Sequence, residues 1–85
     1  MSQKSKLLLL AYNRPKSLHF SEFRLLLEAL GFRLSRINGS HHIFVHPDIP
    51  ERINIQNVNG MVKPYQVRQL LDLVEWYNLK IEDEE

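Results

Sequence analysis

Residues 31–46 read GFRLSRINGSHHIFVH, and this stretch decides the fold class. Two runs with strand character, residues 32–37 and 40–46, flank the dipeptide Asn38-Gly39, which is a strong signal for a two-residue β-hairpin loop. A type I′ turn needs positive φ at both central positions, and asparagine and glycine tolerate that conformation best. The stretch therefore predicts two antiparallel strands joined by a tight turn centred on Asn38 and Gly39.

The segment before the hairpin has helical periodicity. Its apolar residues follow the spacing of an amphipathic helix over residues 20–30: Phe20, Phe23, Leu26, Leu27 and Leu30. Gly31 closes this helix, because glycine readily adopts the left-handed cap conformation. Residues 3–12 predict a shorter helix. Residues 13–17 form a connector, since Pro15 disfavours helix in the residue before it.

The segment after the hairpin predicts a third strand and a last helix. Residues 52–56 alternate in polarity, which places Ile53 and Ile55 on a buried face. Pro64 suits the first turn of a helix, and Asn78 can cap its end. The core-facing positions of this helix share helical spacing, with Tyr77 or Trp76 at their border: Val67, Leu70, Leu71 and Val74.

This order of elements predicts a single α+β domain, α-β-β-β-α, preceded by a short N-terminal helix. A three-stranded antiparallel sheet would carry helices on one face and leave the other face open. Within the domain, residues 1–85, we expect an N-terminal helix and connector over 1–16 and a core over 17–79. Residues 80–85 form an acidic tail that we expect to be disordered.

Composition limits the classes of partner. The chain has no cysteine, which excludes disulfides and thiolate metal sites. No apolar stretch approaches the roughly 20 residues needed to span a bilayer, so we expect a cytoplasmic protein with no membrane contact. Residues 1–79 carry ten positive and six negative charges, a net +4, whereas residues 80–85 carry a net −3. A mildly basic body permits a polyanionic partner without requiring one.

Three histidines cluster at positions 41, 42 and 46, but their spacing is poor for zinc. His42 and His46 share a strand face and lie roughly 13 Å apart at about 3.3 Å per residue, whereas ligands of one zinc ion lie about 2 Å from it. We therefore expect no metal site. The sequence also has no phosphate-binding glycine loop, nucleophile elbow or tight carboxylate pair.

Strand alternation distinguishes these histidines from one another. If Phe44 faces the helices, His42 and His46 lie at the core margin, and His41 is exposed on the open sheet face beside the turn. The inverted assignment is left open at this point, because Ile43 and Val45 are equally apolar. With Phe44 inward, His41 is the candidate functional residue.

Three segments of the chain together form a recognisable pattern. They are residues 26–32 (LLEALGF), residues 38–44 (NGSHHIF) followed by His46-Pro47, and residues 58–71 (VNGMVKPYQVRQLL). These segments resemble the HicA family of toxin–antitoxin ribonucleases. The family pattern is a leucine-rich helix ending in Gly-Phe, a strand, a Gly-Ser-His turn and an aromatic residue shortly after it. The resemblance covers about residues 17–79.

The resemblance implies a fold like that of double-stranded-RNA-binding domains and metal-independent cleavage of mRNA, with no cofactor. It also implies that the histidine of the Gly-Ser-His turn, His41, is catalytic. A HicB-type antitoxin would neutralise the toxin by covering that site.

RNA carries its own nucleophile, the ribose 2′-hydroxyl, so cleavage needs a base, an acid and cations around the phosphate. Histidine has a reference pKa of about 6.5 and suits the role of base near neutral pH. We expect His41 to act as general base and acid, and Arg36, Ser40 and Lys63 to contact RNA. Arg36 is expected across the hairpin from His41, and Lys63 ahead of the last helix. The leaving-group acid is open between His46 and water.

The chain departs from the family pattern in three places. The helix over residues 3–12 lies outside the minimal pattern, and His19 stands where relatives often carry a capping serine. The Pro-x-His segment that many HicA toxins carry after the third strand is replaced by residues 56–59, QNVN. Two alternative functions are a non-catalytic RNA-binding module on the same fold and a protein-interaction domain that never binds RNA.

Overall fold

The computed structural model describes residues 2–81, so residues 82–85 of the expected acidic tail lie outside the described part of the chain. The helices and strands follow the predicted order. They are α1 Gln3–Asn13, a short 3₁₀ helix Pro15–Ser17, α2 Phe20–Ala29, β1 Arg33–Asn38, β2 His41–Val45, β3 Ile53–Gln56 and α3 Pro64–Tyr77. The connector after α1 therefore contains a 3₁₀ turn.

The three strands form one antiparallel sheet in the order β1-β2-β3. Phe44, Ile53 and Ile55 are fully buried on one face of the sheet, in a core shared with the helices. The neighbouring strand residues, among them His41 and Asn54, are exposed on the opposite face. The predicted α+β fold is confirmed, and its α-β-β-β-α order is consistent with a double-stranded-RNA-binding-domain-like fold.

Helix α2 has well-defined ends. At its start, the Glu22 carboxylate accepts a hydrogen bond from the His19 backbone N–H at 2.9 Å and lies 3.2 Å from the His19 ring Nδ1. Both contacts with the Glu22 carboxylate tie the N-cap residue to the first turn of α2, although histidine is a weaker cap than serine. At its end, Gly31 has φ +99°, and the Phe32 N–H donates to the Leu27 carbonyl at 3.0 Å. The predicted glycine cap is confirmed.

The predicted apolar stripe of helix α3 packs on the core: Val67, Leu70 and Val74 are buried, and Leu71 is half-buried against the core cluster. Leu73, which is 2% exposed, was not part of the predicted stripe, so the packed side of α3 is wider than predicted. Gln66 is 3% exposed, and its position in a helical core was not predicted. Asn78 caps the end of the helix, as predicted, and adopts the left-handed conformation there.

The hairpin turn lies one residue later than predicted. Asn38 pairs with His41, so the loop consists of Gly39 and Ser40. Within the described residues of this turn, Gly39 alone has positive φ, +66°. Positive φ at the first central position fits a type II′ turn, which needs glycine there and nowhere else. The prediction of a type I′ turn centred on Asn38 and Gly39 was wrong, because Asn38 stays extended in β1.

Helix α1 packs on the same core through Leu7 and Ala11. The Tyr12 hydroxyl donates a 2.6 Å hydrogen bond to Glu75, which joins α1 to α3. Within residues 2–81, none of the helices combines the length and the apolar character needed to cross a membrane.

Candidate functional site

His41 begins β2 directly after the tight turn, and its side chain is exposed. Because Phe44 is fully buried and strand side chains alternate, His41 lies on the sheet face that the helices leave uncovered. We call this surface the open face. It comprises His41, Ile43 and Val45 of β2 and the residues of β1 and β3 that pair with them. The assignment of Phe44 to the core is confirmed.

The register places Arg36 away from the position expected for it. Asn38 is the residue opposite His41, and Arg36 pairs with Ile43. The prediction that Arg36 lies across the hairpin from His41 was wrong, because moving the loop by one residue moves every pair by two positions. Arg36 keeps its face and is a diagonal neighbour of His41, a relation that usually separates Cα atoms by roughly 7–8 Å.

Asn54 of β3 contacts His41 directly. The Oδ1 atom of Asn54 lies 3.1 Å from Nδ1 of His41, and both residues are exposed on the open face. Asn54 pairs with Ile43 in the register, two residues along from the pair of His41 with Gln56. Our sequence reasoning missed Asn54. The available signal was that it lies between Ile53 and Ile55, and so points away from the core.

Ser40 and Lys63 occupy different surroundings. Ser40 lies in the turn beside His41, and its hydroxyl accepts a 3.0 Å hydrogen bond from the Gln56 side chain. Lys63 is exposed at the N-cap of α3. Within residues 2–81, no hydrogen bond joins Lys63 to His41, Ser40 or Arg36. His41 and Arg36 therefore lie on the open face with Ser40 in the turn beside His41, whereas Lys63 belongs to another element.

The charges of the sheet have one sign. The described strands contain two arginines, Arg33 and Arg36, and no aspartate or glutamate. Arg33 pairs with Val45 and so lies on the open face with Arg36. Sequence reasoning did not select Arg33, because its face depends on a register irregularity between Leu34 and Arg36. An imidazole, amide side chains and guanidinium groups on one uncovered face suit an anionic ligand.

The other two histidines of the cluster are turned towards the core. His46 is 7% exposed and uses both ring nitrogens. Its Nδ1 accepts from the Asp48 N–H at 3.0 Å, and its Nε2 donates to the Leu30 carbonyl at 3.1 Å. The half-buried His42 makes an edge contact with Phe20, with ring centroids 4.8 Å apart. His46 therefore has no free nitrogen for proton transfer.

No group of three histidine, aspartate or glutamate side chains within residues 2–81 is arranged to hold a metal ion.

A family model described as the HicA toxin of bacterial toxin–antitoxin matches residues 20–76. The matched part contains α2, all three strands and nearly all of α3, and therefore includes His41 and its surroundings, whereas α1 lies outside it. Comparisons with curated proteins and with solved structures give no match. Because the family model covers more than half of the 85-residue chain, the chain belongs to the HicA toxin family of bacterial toxin–antitoxin systems.

Proposed function

We propose that this protein is a metal-independent endoribonuclease that cleaves mRNA, with His41 as the residue that exchanges protons with the substrate. The observation that carries the proposal is the position of His41. Its ring is exposed in the Gly-Ser-His turn, on a sheet face with arginines and without carboxylates, in a member of the HicA family. HicA toxins act as mRNA interferases, which supports the same reaction class.

The chemistry follows from the reactivity of RNA. His41 removes the proton of a ribose 2′-hydroxyl, and the 2′-oxygen attacks the adjacent phosphorus. The bond from phosphorus to the 5′-oxygen breaks, which yields a 2′,3′-cyclic phosphate and a 5′-hydroxyl that takes up a proton. The imidazolium or a water molecule supplies that proton, because His46 has no free nitrogen.

Arg36, Ser40 and Lys63 are the proposed RNA contacts. Arg36 lies diagonally beside His41 and can stabilise the charge that develops on the phosphate. Ser40 is adjacent to His41 in the chain. Lys63 lies beside the first turn of α3, where it can bind a phosphate further along the RNA. Such contacts position RNA without specifying its sequence. Each arginine or lysine that neutralises a phosphate of single-stranded RNA contributes about −0.7 to the slope of log K against log salt concentration.

A HicB-type antitoxin is the proposed protein partner, and it would neutralise the toxin by covering the face that carries His41. Family membership implies such a partner. Because mRNA is the proposed substrate, the cytoplasm is the proposed site of action.

The decisive experiment uses purified full-length protein, dialysed against EDTA, and end-labelled RNA. We expect the wild type to cleave and His41→Ala to lose cleavage by at least a factor of about 100, the usual contribution of a general base. His19→Ala is the matched control, because it removes an exposed imidazole at the N-cap of α2 rather than one on the open face. Cleavage retained in His41→Ala would show that another group performs the chemistry.

The same experiment separates the two alternatives. Salt-dependent RNA binding without cleavage by the wild type would favour a non-catalytic RNA-binding module, which the arginines of the open face also permit. Absence of any salt-dependent RNA affinity would favour a protein-interaction domain, because phosphate binding necessarily releases counterions.

A further inference from the structure

We propose that Asn54 is a positioning residue for His41: its side-chain oxygen accepts the Nδ1–H of His41 and so leaves Nε2 as the nitrogen that takes the proton from RNA. This inference rests on the proposed ribonuclease function and deepens it, because it assigns the reacting atom and the group that selects it.

The argument begins with the hydrogen-bonding capacity of the two groups. The Oδ1 atom of Asn54 lies 3.1 Å from Nδ1 of His41. A carboxamide oxygen has lone pairs and no hydrogen, so Nδ1 must supply the proton of this bond. A neutral imidazole carries a single N–H. Nε2 therefore keeps its lone pair, as a general base requires.

This tautomer is not the one that an unrestrained histidine prefers. In water the neutral imidazole of histidine carries its proton mainly on Nε2, and a partner at Nδ1 is needed to reverse that preference. Nε2 also lies at the far end of the ring from the backbone, where it is the nitrogen directed away from Asn54. The neighbouring strand therefore selects the nitrogen that can reach a substrate.

The backbone of Asn54 is held by groups other than its own side chain. Ile53 and Ile55 on either side of it are fully buried. Gln66 of α3, itself 3% exposed, donates from its side-chain nitrogen to the Asn54 carbonyl at 3.0 Å. A substitution at Asn54 keeps these contacts, so it can remove the oxygen acceptor without releasing β3.

The test begins with the tautomer itself, measured on the full chain with ¹⁵N-labelled histidine by NMR above the titration range of the ring. We expect Nδ1 of His41 to carry the proton in the wild type, and Asn54→Leu to shift the tautomer population towards Nε2–H by roughly three- to tenfold. Gln56→Ala is the matched control, because Gln56 lies opposite His41 but bonds to Ser40. It should leave the His41 tautomer unchanged.

The second readout is cleavage. Asn54→Leu should lower kcat by roughly three- to tenfold with little change in KM, because the Asn54 oxygen faces His41 rather than RNA. Asn54→Asp should restore an acceptor and, since its charge favours the imidazolium, move the acid limb of the rate profile to higher pH. Rescue by Asn54→Asp distinguishes positioning from a general loss of structure.

The outcomes are distinguishable. A wild-type His41 with its proton on Nε2 would overturn the inference, because Asn54 would then be donating through its nitrogen. The expected tautomers with an unchanged kcat in Asn54→Leu would also overturn it and leave the nuclease proposal intact. Full cleavage by His41→Ala would instead refute the proposed function, whatever the tautomer is.

Discussion

His46 should be essential for stability and dispensable for cleavage. Its Nε2 is the hydrogen-bond partner of the buried Leu30 carbonyl, and its Nδ1 accepts from the Asp48 N–H. Its ring also packs edge-on against Phe32, with centroids 5.1 Å apart. The residue thus connects the end of α2 to the turn after β2.

His46→Ala removes all three contacts at once. A buried carbonyl left without a partner costs about 1–3 kcal/mol, and an edge-to-face ring pair contributes about 0.5–1.5 kcal/mol. We therefore expect a loss of about 3 kcal/mol in the free energy of unfolding. For a domain of this size that loss corresponds to a fall in Tm of roughly 12–24 °C.

The assay is urea denaturation followed by circular dichroism, with cleavage of labelled RNA measured well below the Tm of the variant. His41→Ala is the control from the same strand, and because His41 is exposed its stability should change by less than about 0.5 kcal/mol. The two variants should give opposite patterns, since one loses stability and the other loses cleavage. A stable but inactive His46→Ala protein would refute the reasoning.

Three further predictions concern the termini of the helices and the hairpin. Glu22→Ala should cost about 0.5–1 kcal/mol at pH 7. The hydrogen bond from the His19 backbone lowers the pKa of Glu22 in the folded protein. The stabilisation by Glu22 is therefore complete above the pKa of the unfolded chain and is lost as pH falls through the pKa of the folded protein. Denaturation of wild type and variant at pH 7 and at pH 3 should show the difference in stability shrinking at the lower pH. The hydrogen bond to Glu75 raises the pKa of Tyr12 from 10.0 to about 12. The link between α1 and α3 should therefore hold below pH 10 and weaken as pH rises through 12, and Glu75→Gln should return the phenolate absorbance of Tyr12 towards its ordinary range. Gly39→Ala should lower the free energy of unfolding by about 1–2 kcal/mol, because an alanine at φ +66° is strained. An added Cβ would meet nothing within 4 Å, so the penalty is conformational alone. A larger loss of stability in thermal melts would contradict this.

Local patterns predicted the helices and strands well because each pattern reflects a local preference. The spacing of Phe20, Phe23 and Leu26 requires a helix if all three are to reach one core, and all three are buried. The alternation of Ile53 and Ile55 likewise predicted both strand and buried face. Leu73 was omitted from the predicted stripe because the width of the packed side of α3 depends on the shape of the core it meets.

The candidate site was predicted in part. His41 followed from the Gly-Ser-His motif and from the alternation that places Phe44 inward, and the structure places it on the open face. The relation of Arg36 to His41 was wrong, because it depends on which residues occupy the loop. Asn54 was missed, since its contact with His41 joins residues 13 positions apart.

The sequence by itself determined the order of the elements and the buried face of β3, because these depend on periodicity over a few residues, and its Gly-Ser-His motif singled out His41. Only the tertiary structure decided which face of β2 is buried, the strand register, the contact between His41 and Asn54 and the structural role of His46. Each of these depends on which backbone and side-chain groups from distant segments meet, and a shift of one residue in the turn changes all the cross-strand partners while leaving every local pattern the same.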